Sequence, residues 1–140
     1  MKTFTAKTSI SAPIDKIWSI LVDGARYPMW DPNCEKVEGT IALGKSIVVT
    51  SKLATGRSFP VKVTEFEVGK RMVWTGGMPL GLFKGTRTFS LRTRSTGAIE
   101  FTIREDFTGP LVPIIGGSLP DLDTAFKEFA AGLKDRAERP

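Results

Sequence analysis

The feature that most constrains this chain lies near its end. Leu122, Phe126, Phe129 and Leu133 recur at i, i+4, i+7 and i+11, which is one face of an α-helix. Ala125, Ala130 and Ala137 widen that face with small residues, and Asp121, Asp123, Lys127, Glu128, Lys134, Asp135 and Arg136 fall mostly elsewhere. Carboxylates open the segment and cations close it, the order the helix macrodipole favours. The spacing predicts a helix from Pro120 to about Glu138. An amphipathic helix of that length cannot bury its stripe alone, and most of the chain before it reads as strand. A curved antiparallel sheet wrapped around one long helix satisfies both, an α+β architecture. Between sheet and helix there is then either a packed core or a hollow.

Upstream, Phe4, Ala6, Thr8 and Ile10 alternate loosely with polar residues, as in a strand. Ser11-Ala12-Pro13 reads as a helix start, with Ser11 as N-cap and Pro13 in the first turn. Ile14, Ile17, Trp18 and Leu21 follow at helical spacing, and the helix ends near Asp23-Gly24. A second short helix or turn covers 25–27 and stops at Pro28. In Tyr27-Pro28-Met29-Trp30-Asp31-Pro32 two prolines fix the backbone and present Met29 and Trp30. That presentation suits a plug under the short helices or one wall of a pocket.

From Cys34 the chain is strand after strand: 35–41, 46–53, 58–68, 71–75, 83–94 and 98–108, about seven strands with the first. Turns fall at Leu43-Gly44, Thr55-Gly56, Gly69-Lys70, 76–81 and Ser95-Thr96-Gly97. The apolar positions Phe59, Val61 and Val63 shift parity to Phe66 and Val68, which predicts a bulge near Glu65 that curves the sheet. Loops are normally polar, yet 109–119 holds Pro110, Leu111, Val112, Pro113, Ile114 and Ile115. It reads as a cover over an opening or as more core. No repeat, linker or low-complexity stretch divides the chain, so residues 1–140 are expected to form one domain.

Composition removes several functions. With no histidine and one cysteine, Cys34, Ser-His-Asp and Cys-His catalysis, His-ligated metals and an intrachain disulfide are excluded, and a zinc site is not expected. The net charge of +5 is scattered among acids with no basic run, so a solvated surface is expected and nucleic acid is not. No apolar run is long enough for a membrane span. The start MKTFTAKTSISAP does not read as a secretory signal, and a cytoplasmic protein is expected.

The two long strands carry the sharpest inference. Ile99, Phe101, Ile103, Glu105 and Phe107 share one face of the second, because strand side chains alternate. Phe83, Gly85, Arg87, Phe89 and Leu91 share one face of the first. If the hairpin closes at 95–97, Arg94 lies opposite Ala98, Phe89 opposite Ile103 and Arg87 opposite Glu105. A one-residue slip would turn a whole face outward. An Arg87–Glu105 pair among aromatics on the concave side is therefore expected. It is either a structural ion pair near the mouth of the fold or a polar anchor that orients a ligand in a greasy pocket. Gly85 leaves space on that face. Asp31 would be a general base only if it pointed inward, and the proline after it favours a turn. Tyr27 offers a phenol to a pocket or caps the core. Cys34 has no cationic cluster nearby to make it a reactive thiolate.

The element order, with Trp30-Asp31-Pro32 after the short helices, resembles the helix-grip fold of the START-related superfamily. That group includes birch-pollen-allergen-like proteins, lipid-transfer START domains and polyketide cyclases or dehydrases. The stretches 11–18 (SAPIDKIW), 82–89 (LFKGTRTF) and 104–109 (REDFTG) carry the resemblance, which covers nearly the whole chain. It implies a cavity for a hydrophobic small molecule and supplies no catalytic set. Bacterial relatives often hold a histidine where Arg87 stands, so chemistry assigned to that imidazole has no counterpart here.

Three functions fit these readings. The first is binding or transport of a lipid, polyketide or aromatic molecule in a cavity of ~300–1,000 Å³ between sheet and helix, without a cofactor. Trp30, Trp74, Arg87, Phe89, Phe101, Ile103, Glu105, Phe126 and Phe129 would form its site. The second is a polyketide cyclase or dehydrase-type enzyme, with Glu105 or Asp31 handling protons. The third is a co-chaperone-like interaction module whose tryptophans fill the core and whose exposed patch, around Leu111 to Ile115, meets a partner or a second copy in a homodimer.

Overall fold

The computed structural model describes residues 1–53 and 58–140. The turn expected at Thr55-Gly56 lies outside the described residues. Seven strands are described: β1 (Lys2–Ile10), β2 (Cys34–Glu38), β3 (Ser46–Ser51), β4 (Ser58–Glu67), β5 (Arg71–Gly77), β6 (Lys84–Thr93) and β7 (Ile99–Thr108). They form one antiparallel sheet in the order β1-β7-β6-β5-β4-β3-β2. The first strand thus pairs with the last, and the curled sheet stays open, with β1 and β2 at its two edges. Helix α1 (Ile14–Leu21) and a 3-10 turn (Gly24–Met29) link β1 to β2. Helix α2 (Val112–Ile115), a 3-10 turn (Gly116–Ser118) and helix α3 (Leu122–Glu138) follow β7.

The curl has local causes. Register slips between Val63 and Glu65 in β4, where the parity shift predicts a bulge. A second slip lies between Cys34 and Lys36 in β2. Each extra residue bends its strand and steepens the twist. The β6–β7 hairpin has the expected register, with Arg87 opposite Glu105 and Phe89 opposite Ile103. Its turn is closed by the Arg94 N–H donating to the Ala98 carbonyl at 2.8 Å.

Helix α3 buries Leu122, Ala125, Phe126, Phe129, Ala130, Leu133 and Ala137, the stripe read from the sequence. Burying a Phe or Leu side chain contributes roughly 1.5–3 kcal/mol before entropy is counted. Asp121 caps the helix, accepting the Thr124 N–H at 3.1 Å and its hydroxyl at 2.7 Å. Those bonds hold the Asp121 carboxyl below its ordinary pKa. The far end is tied to β1: Lys134 donates to the Ser9 carbonyl and to Glu138, and Glu138 accepts the Ser11 N–H at 2.8 Å.

That last bond corrects one expectation. Ser11 does not cap α1; the N-cap position is Pro13, with no side-chain cap, and Ser11 serves the sheet–helix seam instead. Element boundaries also move. The 3-10 turn carries Pro28 inside it and runs to Met29. Strand β2 stops at Glu38 because Gly39 turns the chain at φ +104°. The apolar segment 109–119 is wound into helical turns.

Candidate functional site

The interior of the grip is aromatic. Tyr27, within the chain's second helical element, lies at its centre. Its ring centroid is 4.8 Å from Trp30, 6.1 Å from Trp74 and 5.9 Å from Phe129 of α3. Trp74 packs on Phe89 at 4.6 Å, and Phe129 reaches Phe89 at 5.8 Å and Phe101 at 5.9 Å. Trp74, Phe89, Phe101, Ile103, Phe126 and Phe129 are all buried. The Tyr27 hydroxyl donates to the Leu21 carbonyl at 2.5 Å, and burial pushes its pKa well up. Tyr27 is therefore a core cap; its phenol is already engaged.

This packing depends on a glycine the sequence reading passed over. A Cβ at residue 132 would lie 2.0 Å from the Trp30 carbonyl oxygen, so only Gly132 lets α3 close onto Trp30. An isolated glycine in a helical pattern was the available signal.

Two donors inside this cluster are left over. The indole N–H groups of Trp30 and Trp74 are buried and meet no acceptor among the described residues. A buried donor without a partner costs roughly 1–3 kcal/mol, and such groups are rare enough to need a reason.

Towards the end of the sheet where α3 begins, the interior turns polar. Arg87 Nε donates to Glu105 Oε1 at 2.6 Å, with side chains 26% and 12% exposed. The Arg87 guanidinium also lies over the Phe126 ring of α3, 5.0 Å from its centroid. Strand pairing sets Arg87 beside Trp74. A guanidinium offers five N–H donors, and Nε is the one that Arg87 uses on the described residues. The space that Gly85 leaves is already taken: a Cβ there would meet Glu105 Oε2 at 2.8 Å and the Phe107 ring at 3.3 Å. Gly85 seats the carboxylate rather than opening a void. Beyond it, Phe107 stacks on Phe83 at 5.4 Å and meets Phe4 edge-on at 6.0 Å.

On the other flank of Tyr27 are Asp31 and Cys34. Asp31 is nearly buried; its Oδ1 accepts the Asn33 N–H at 3.1 Å, the turn role expected of it. Burial raises its pKa, opposed by that bond and by the Arg87 charge. Burial pushes the Cys34 thiol up to about 11, so Cys34 is an inert core group.

Two open depressions lie along α3, outside the ring cluster except for Trp30, which borders one of them. One, of about 270 Å³, runs between α3 and β1 beside Lys7, Lys127 and Lys134. The other, of about 460 Å³, is bounded by Met29, Trp30, Glu128 and Gly132. Neither is lined by Arg87 or Glu105. Among the described residues, no cluster of His, Cys, Asp and Glu is fit to hold a metal ion. None of their helices is long and apolar enough to cross a membrane.

A curled seven-stranded antiparallel sheet gripping a C-terminal helix, with two short helical elements after the first strand, defines the helix-grip class. The chain belongs to the polyketide cyclase / dehydrase and lipid transport family, whose model matches residues 1–138. Solved structures agree on the fold. A START superfamily protein from Mycobacterium smegmatis superposes with a TM-score of 0.68 at 18% identity, over 97% of each chain. A hypothetical protein, jhp0584, from Helicobacter pylori gives 0.80 at 11% identity, over 98% of this chain and 88% of that one. The Aha1 dimer from Colwellia psychrerythraea gives 0.73 at 20% identity, over 99% and 97%. No curated protein sequence matches the chain.

Proposed function

We propose that this protein binds a small, mostly apolar molecule carrying a hydrogen-bond acceptor, held between the concave face of the sheet and the first turns of α3. The observation that carries this reading is the state of Arg87. Its charge is balanced by Glu105 through one nitrogen, and its remaining donors have no partner on the described residues. A donor fork among aromatics is what a carbonyl or phenolate oxygen needs for orientation. The indole N–H groups of Trp30 and Trp74, unpartnered among the described residues, favour the same ligand chemistry, because both are donors. Burial of the ligand's apolar body would supply affinity at about 25 cal/mol per Å², before the costs of association.

The test is native mass spectrometry of freshly purified protein, with solvent extraction and identification of what is bound. A co-purifying apolar molecule bearing a carbonyl or phenol is the expected result. Replacing Arg87 by Met, which keeps the apolar stem, should weaken rebinding by roughly tenfold, the loss of one charge-assisted hydrogen bond. A protein that leaves purification ligand-free, and takes up nothing from a panel of fatty acids, sterols and flavonoids, would sink the reading.

A second reading, turnover of the ligand by a cyclase or dehydrase-type reaction, is favoured by one observation. Asp31 is a carboxylate whose pKa burial raises, beside Tyr27 and within the field of Arg87, the direction of shift that a proton-transferring carboxylate needs. Replacing Asp31 by Asn would then abolish turnover and leave binding nearly unchanged; a pure carrier would show no turnover to lose.

A further inference from the structure

Two apolar loops at the end of the sheet where α3 begins are unaccounted for by ligand binding. One is 78–83, between β5 and β6; the other is 109–115, after β7. Residues 72–83 and 107–120 contain no charged side chain, in a chain that is 25% charged. Four large apolar side chains stand in water on these loops: Leu80 is 96% exposed, Ile114 76%, Met78 44% and Leu82 37%. The other exposed ones, such as Met29, Leu43 and Val68, are spread along the chain.

The loops form one unit. The Met78 N–H donates to the Phe83 carbonyl at 2.7 Å, and the Leu111 N–H donates to the Leu82 carbonyl at 3.0 Å. Gly109, at φ +112°, approaches so closely that a Cβ there would lie 2.5 Å from the Gly81 carbonyl oxygen. Leu80 is the one non-glycine residue at positive φ among the described residues, at +62°. Leucine is disfavoured in that conformation, and strain of this kind gathers where function needs it. Here it holds an apolar side chain outward.

We propose that these two loops dock the protein on the surface of an anionic lipid membrane, with Leu80 and Ile114 inserted among the lipids. Two observations favour lipid over a protein partner. First, Leu80 and Ile114 project singly and nearly fully into water. A protein partner would need matching hollows, whereas a fluid bilayer needs none. Second, the cations flanking the loops are Lys84, next to Phe83, and Lys2, whose Nζ bonds the Gly116 carbonyl at 3.1 Å. The nearest acids in sequence are held by other groups: Asp106 by Thr3 and Arg104, Asp121 by Thr124. An apolar tip with basic flanks suits an anionic headgroup surface. The tip adjoins the stacked Phe83 and Phe107, and Phe107 packs beside Gly85 and the Arg87–Glu105 pair.

The test is co-sedimentation with phosphatidylcholine vesicles, with and without about one third phosphatidylglycerol, beside light scattering of the protein alone. The wild type should bind the anionic vesicles. Leu80→Asn should weaken binding roughly tenfold or more. Asparagine tolerates positive φ, so loss of binding by that variant is not loss of fold. Ile114→Ser should act alike. Lys84→Ala should cost about fivefold, and only where anionic lipid is present. No wild-type binding, or full binding by Leu80→Asn and Ile114→Ser, overturns the proposal. So does a stable wild-type dimer that Leu80→Asn dissociates, which would assign the tip to a second copy. None of these readouts depends on a ligand being bound inside the grip.

Discussion

The two regions of the grip are held by different physics. In the cluster centred on Tyr27, six aromatic rings from five separate parts of the chain pack together in tilted, stacked and edge-on pairs, and among the described residues the Tyr27 hydroxyl is the one polar tip of the six that finds a partner. Around Arg87, a half-buried ion pair is wedged between Phe126 and Gly85, and donors remain unused among the described residues. The first region can be stabilised by packing alone. The second keeps hydrogen-bonding capacity that packing has not consumed, and its outer rim ends in exposed leucine and isoleucine.

Mutations can break this contrast or sharpen it. The largest effect is expected in the packed region. Phe129→Ala should destabilise by about 3–5 kcal/mol in denaturant unfolding, since Phe129 touches Tyr27, Trp30, Phe89 and Phe101. A loss below about 1 kcal/mol would mean that the rings are not truly close-packed. Next, Gly132→Ala must push α3 away from the Trp30 carbonyl, at about 1–3 kcal/mol, visible as a lowered Tm.

In the polar region, Glu105→Leu leaves Arg87 without its counter-ion. A fully buried charge so stranded costs about 3–5 kcal/mol, but partial exposure should cut this to about 1–3. If Glu105→Leu is neutral in stability yet alters ligand affinity, the pair serves binding alone.

Asp31 gives a pH signature. Its folded pKa is raised above 3.8 by burial, so between 3.8 and the raised value the folded state binds more protons than the unfolded one. Stability should therefore be greatest at the acid side of that window and fall as pH rises through it. Asp31→Asn should remove this slope. Urea titrations of both proteins across the window decide it; parallel curves would place Asp31 in water. The smallest effect is at the tip. Leu80→Asn relieves an unfavourable backbone conformation and should raise stability by under about 1 kcal/mol. Lowered stability would mean that the Leu80 side chain packs in solution.

The parts of the fold legible in the sequence are those set by short-range geometry. The α3 stripe follows from a period of 3.6 residues. The Arg87–Glu105 pairing follows from a tight hairpin and a period of two, and the β4 bulge from a break in that period. Ser11 misled because a capping residue type is a local signal, and here a distant carboxylate, Glu138, claims its N–H. Gly85 misled in the same way: a missing Cβ reads as space, but which atom occupies it depends on the neighbouring strand. The core-capping role of Tyr27 is one of two readings that the sequence allows, whereas the role of Gly132 is not legible there, because it lies in a contact with a residue far away in sequence.

By itself the sequence determined a curved sheet around a C-terminal helix, a charged pair on its concave face, and an apolar segment ahead of the helix. It also excluded imidazole chemistry, because composition admits no exception. Only the tertiary structure decided that the aromatic side chains pack on Tyr27, that Glu105 fills the room at Gly85, that two indole N–H groups are stranded, and that two apolar loops join into one exposed tip. Each of these is a question of which distant atoms share a volume, and periodicity along a chain carries no information about that.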